Sequence, residues 1–136
     1  HIRRHRATSN ICSNETLIAL MGAMHMSLLG PDGITVLSKR VAATTELTKR
    51  ALSSIEGVEL YHPDAHNFRD FVIKLPGDSA DAVAFMDSRG VMAGLPLGQW
   101  WDDMSSCLLV GCDERTSETD ISSLVKVIED WIKGVN

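Results

Sequence analysis

The chain has 136 residues, of which 44% are hydrophobic and 23% charged, enough to bury a core and too apolar for a disordered tract. The formal net charge of −5 disfavours a general nucleic-acid surface, although Arg3, Arg4 and Arg6 cluster at the N-terminus. Three cysteines, Cys12, Cys107 and Cys112, with no CxxC pair, argue against a disulfide framework or a zinc site and point to reduced thiols in the cytoplasm.

The charged N-terminus lacks the apolar stretch of a signal peptide, and a start at His1 instead of Met fits a piece of a longer protein. Residues 1–9 read as a lead-in and residues 10–136 as one α+β domain. Arg6-Ala7-Thr8-Ser9-Asn10-Ile11-Cys12-Ser13-Asn14 turns abruptly into an apolar helix, expected from about Asn10 to Leu29. Ser9 or Asn10 caps it, and Glu15 suits the positive end of its dipole. Ile11, Leu17, Leu20, Met21, Met24 and Leu28 recur at three- and four-residue steps, so one face should carry a core. The run from Leu17 to Leu29 is too short to span a bilayer.

Gly30-Pro31-Asp32-Gly33 stops this helix, and Asp32 caps a second one from about Gly33 to Ile55, closed by Gly57. Its expected buried stripe is Ile34, Leu37, Val41, Leu47, Ala51, Leu52 and Ile55, with Lys39, Arg40, Glu46, Lys49 and Arg50 facing water. Val58–Tyr61 and Phe68–Leu75 read as an antiparallel pair of strands across a short loop of turn formers. Asp78 or Ser79 caps a third helix to about Ser88, ended by Gly90. Val91–Gly94 is expected as a third strand, Leu95–Asp103 as an irregular loop, and Cys107–Cys112 as a central apolar strand. The last helix runs from about Glu118 to Lys133 on Ile121, Leu124, Val125, Ile128 and Ile132. The order α-α-β-β-α-β-β-α predicts an antiparallel sheet of about four strands with helices on one face.

Chemistry is sparse. His62 and His66 are spaced i, i+4 but flank a proline loop and lack further ligands, so a metal site is not expected. His25 reads as a core or interface residue, and Cys12 as a small residue packed at the helix entry. Lys39, Lys49, Lys74, Lys126 and Lys133 all fall on polar faces or ends, which leaves no buried Schiff-base candidate. Thr8, Ser9, Asn10, Ser13 and Asn14 crowd one helix N-terminus; capping uses two of them, and the surplus, beside three arginines, points to an anion or a partner. Gly94-Leu95-Pro96-Leu97-Gly98, followed by Trp100 and Trp101, reads either as a loop closed on its own domain or as an interface.

Several runs resemble one family. Ala7-Thr8-Ser9-Asn10-Ile11-Cys12-Ser13-Asn14 and Gly94-Leu95-Pro96-Leu97-Gly98 are the most specific. Ser27–Gly33, Gly57–Leu60, Arg89–Val91 and Glu114–Thr116 extend the likeness. The chain resembles the C-terminal region of the first subunit of two-subunit glycine decarboxylases, the P-protein of the glycine cleavage system. The resemblance implies the small C-terminal domain of aspartate-aminotransferase-like, fold type I pyridoxal-phosphate enzymes. It also implies an assembly that decarboxylates glycine and passes the aminomethyl group to the lipoyl arm of H-protein. On that reading the cofactor belongs to a companion subunit, this chain holds no cofactor and no catalytic residue, and it is inactive alone. Thr8, Ser9, Asn10 and Asn14 would face the large domain or the companion, and Arg115 would hold a carboxylate. A free-standing module that binds a ligand or a protein is the competing expectation.

Overall fold

The structure, a computed structural model, describes Arg6 and residues 15–135. The expected lead-in, its caps Ser9 and Asn10, and Cys12 lie outside the described residues. The chain forms two compact units, His1–Val36 and Leu37–Asn136.

Helix α1 (Thr16–Ser53) starts in the first unit and ends in the second. It is interrupted at Gly30, whose φ of 61° and ψ of −178° leave the helical region. Glycine accepts that conformation without a Cβ clash. Pro31 opens the continuation, where its missing N–H is no loss. The expected break is therefore a one-residue kink, and Asp32 is a residue of the resumed helix instead of its cap. At 1.5 Å per residue the part before Gly30 rises only about 20 Å, short of the roughly 30 Å hydrocarbon core of a bilayer. Among the described residues the expected core on this segment is not found: Leu17, Ile18, Leu20, Met21, Met24 and Met26 are all more than half exposed, and Leu28 is 84% exposed.

The second unit holds the core. Strands β1 (Glu59–Leu60), β2 (Asp70–Lys74), β3 (Leu95–Pro96) and β4 (Cys107–Gly111) form one sheet in the order β1-β2-β4-β3, antiparallel throughout. Phe71 pairs with Val110 and Ile73 with Leu108, which fixes one face of the sheet as the core face. Leu52 of α1, Ala82 and Met86 of α2 (Ser79–Ser88), and Leu124, Ile128 and Trp131 of α3 (Glu118–Val135) join those strand residues in one buried cluster. This is the α+β architecture expected, with the helices gathered on one face.

Two corrections are physical. Of the expected stripe, Val41, Leu52 and Ile55 are buried and Leu37 and Ala51 half-buried, but Leu47 is 52% exposed and Ile34 41% exposed, and Thr45, Thr48 and Lys49 take buried places on the ridge instead. Thr45 and Thr48 donate their hydroxyls to the carbonyls of Val41 and Thr44, four residues back, so each enters the core without an orphaned donor. The helix also ends at Ser53, before Gly57, with tighter turns carrying Ser54 and Ile55. The second correction concerns the third strand, which is Leu95–Pro96 instead of Val91–Gly94. Gly94, at φ 147°, turns the chain directly over β4: a Cβ there would lie 2.1 Å from the carbonyl oxygen of Leu109. Only from Leu95 onward does the chain run alongside β4. Asp78 caps α2 as expected, accepting from the N–H groups of Ala80 and Asp81.

Candidate functional site

Thr8, Ser9, Asn10 and Asn14 lie outside the described residues, so the structure places Arg115 and the 94–100 loop. That loop is anchored and not loose. Leu97 is buried, Leu95 and Pro96 pair with Leu109 and Leu108, and short 3-10 turns at Leu97–Gln99 and Asp102–Met104 carry the chain to β4. Its outward part is apolar: Leu95 is 45% exposed, and Trp100 and Trp101, with ring centroids 6.1 Å apart, are both more than half exposed. Leu95, Leu109 and Val72 are register partners on the face of the sheet opposite the core. The loop packs on its own domain through Leu97 and carries Trp100 and Trp101 on its exposed side.

Arg115 sits in the turn between β4 and α3 and is exposed. It lines a cleft of about 640 Å³ together with Arg89, Asp113, Asp120 and the buried Thr48. Arg89 stacks over the ring of Phe85 at 4.7 Å. Neither arginine has an ion-pair partner among the described residues. Both carboxylates are already engaged. Asp113 accepts from the Thr116 hydroxyl and from the N–H groups of Arg115 and Thr116. Asp120 accepts from the hydroxyl and the N–H of Ser117. These hydrogen bonds, led by the Thr116 hydroxyl for Asp113 and the Ser117 hydroxyl for Asp120, hold both carboxyls below the usual 3.8. Chemically the cleft offers two free guanidinium groups, suited to a carboxylate or another anion.

Sequence reasoning missed Arg89, which nothing in its local pattern joins to Arg115, and Lys49. The signal for Lys49 was available: Val41, Thr45, Thr48 and Leu52 continue one ridge at steps of four, three and four, and Lys49 adjoins it. Lys49 Nζ lies 3.0 Å from Glu46 Oε1 and 3.3 Å from Asn67 Oδ1. Among the described residues no group of three His, Cys, Asp or Glu side chains is placed to hold a metal ion.

The described residues do not fit pyridoxal phosphate either. Lys39, Lys74, Lys126 and Lys133 are exposed, and Lys49 is tied to Glu46 and Asn67 beside a cleft of only about 120 Å³. Among the described residues, the N-termini of α2 and α3 offer no phosphate cradle, because the carboxylates of Asp78 and Asp120 occupy them and would repel a phosphate.

Comparison with known proteins adds the context. Residues 1–128 match the family described as glycine cleavage system P-protein. A relative from Geotalea daltonii, named probable glycine dehydrogenase (decarboxylating) subunit 1, is 38% identical over 129 residues, covering 95% of this chain and 29% of the relative. Among solved structures, a glycine decarboxylase (P-protein) of the glycine cleavage system in inhibitor-bound form superposes with a TM-score of 0.77 at 27% identity, covering 95% of this chain and 29% of that one. The L-threonine-O-3-phosphate decarboxylase of Porphyromonas gingivalis shares the fold, with a TM-score of 0.59 at 16% identity over 70% of this chain and 28% of that one. The fold is thus that of the small domain of fold type I enzymes, and the chain spans under a third of the length of the proteins it matches.

Proposed function

This chain belongs to the glycine cleavage system P-protein family, and from that membership we propose that it works as the C-terminal, small-domain part of the first subunit of a glycine decarboxylase. The assembled enzyme decarboxylates glycine and passes the aminomethyl group to the lipoyl arm of H-protein. Pyridoxal phosphate sits in the companion subunit, and this stretch contributes surface and position and has no activity by itself. The work takes place in the cytoplasm, a setting in keeping with the free buried thiols of Cys107 and Cys112.

One observation carries this reading beyond the family match. From Thr16 to Leu29, α1 bears no Asp, Glu, Lys or Arg, and its large apolar side chains project on several sides into solvent. A helix apolar all round is stable when enclosed by other protein. The remaining length of such a subunit and its companion are the bodies that enclose it. Thr8, Ser9, Asn10 and Asn14 precede that helix directly and face the same bodies. Arg115 and the Leu95–Trp100 surface are further contact points.

The test is co-expression of the complete reading frame containing this chain with a pyridoxal-phosphate-bearing companion subunit. Co-purification and exchange of the glycine carboxyl with labelled bicarbonate are expected, and the 136-residue chain alone should show no exchange. A reading frame that starts at this chain, with neither co-purification nor exchange, would return the protein to the class of free-standing binding modules.

A further inference from the structure

Lys49 is a buried cation that the proposed assembly does not use. It is 7% exposed on the second half of α1. An ammonium group carries three N–H donors. Two are taken, by Glu46 Oε1 at 3.0 Å and Asn67 Oδ1 at 3.3 Å, and no third acceptor lies within reach among the described residues. The ion pair is uneven, since the lysine side chain is 9% exposed and that of Glu46 is 50% exposed. Water therefore screens the anion while the cation stays sheltered and under-compensated. Asn67 is locked in place, because its Nδ2 donates to the carbonyl of Asp70 at 3.1 Å and its oxygen is left for the lysine.

Lys49, His62 and Asn67 contribute the polar lining of a cleft of about 120 Å³, and Leu60, Val72 and Leu109 are among its apolar lining. Asp70, also in the lining, has its carboxylate 3.4 Å from Arg69 Nε, which offsets its charge. At about 30 Å³ per water, this volume equals roughly four waters and suits a molecule of about four to six heavy atoms. We propose that the cleft binds a small carboxylate, one oxygen on the third donor of Lys49 and the carbon skeleton on the apolar wall. Two kinds of molecule share that chemistry: a simple short-chain carboxylate and a free amino acid with a minimal side chain.

The experiment is titration of the ¹⁵N-labelled chain with sodium acetate and, separately, with glycine, at ionic strength held constant with sodium chloride. Saturable shifts of the backbone amides of Leu60, Asn67 and Phe71 are expected with at least one of the two. A response to acetate alone assigns the site to simple carboxylates, and a response to glycine alone assigns it to amino acids. Lys49→Met should weaken the affinity at least about tenfold, the scale of a charged hydrogen bond. Asn67→Asp supplies an internal carboxylate to the same ammonium, and it should abolish the saturable shifts. That variant decides the matter if Lys49→Met does not fold. No saturable shift with either titrant, the same shifts with sodium chloride alone, or undiminished affinity in either folded variant would show that Lys49 only ties α1 to the 62–67 loop, and would overturn the proposal.

Discussion

Thr45 and Thr48 behave as apolar residues because each hydroxyl is spent on its own helix. Their burial turns the ridge of α1 so that Leu47 faces water and Leu52 is fully enclosed. Leu47→Gln is therefore expected to change stability by no more than about 0.5 kcal/mol, and Leu52→Ala to cost about 2–5 kcal/mol, both read by urea denaturation. Gly94 is a second residue whose identity is forced. Its φ of 147° and its approach to the Leu109 carbonyl leave no room for a side chain, so Gly94→Ala should cost roughly 2–4 kcal/mol in the same measurement. The caps at Asp113 and Asp120 give a pH signature. Both carboxyls are held below 3.8 in the folded chain, so they bind fewer protons there than when unfolded. Their stabilisation is complete above the unfolded value and is lost as pH falls through the lowered one. Tm should drop below about pH 3.8 more steeply in the wild type than in Asp113→Asn with Asp120→Asn, followed by circular dichroism.

Among the elements, those with a strong local signal were legible in the sequence. α3, with Leu124 and Ile128 one helical turn apart, and β2, with Phe71 and Ile73 alternating, needed no knowledge of the rest of the chain. Asp78 announced α2 through its capping oxygen. The third strand is not legible in the sequence, because Val91–Ala93 has strand-forming residues but no strand partner among the described residues; its backbone departs from α2 through the bond from Val91 N–H to the Met86 carbonyl. The cleft beside Arg115 was half legible. Arg115 stood in a recognisable turn, whereas Arg89 reaches the same cleft only through the packing of α2 on α3. Lys49 was missed because a lysine counts as polar in any periodicity argument. The first segment of α1 is legible in the sequence as apolar but not as exposed, since a sequence shows which residues seek burial and not which body supplies it. Its surface yields a prediction at this scale. The chain should self-associate as concentration rises, and Met24→Lys with Leu28→Lys should keep it monomeric without altering the denaturation of the second unit, as followed by sedimentation velocity and urea titration.

At the scale of the molecule, the core lies in the second unit, and the sheet is held by pairings distant in sequence. β2 and β4, the two interior strands, meet only after α2, β3 and two 3-10 turns have been traversed. The edge strands β1 and β3 are two residues each, too short to template anything without them. Closing so long a loop is entropically unfavourable until the side chains on both strands bury together. During synthesis, then, β2 has no interior neighbour until Gly111 has cleared the ribosome, and Phe71 and Ile73 stay uncovered meanwhile. The nascent segment is most in need of a chaperone during that interval.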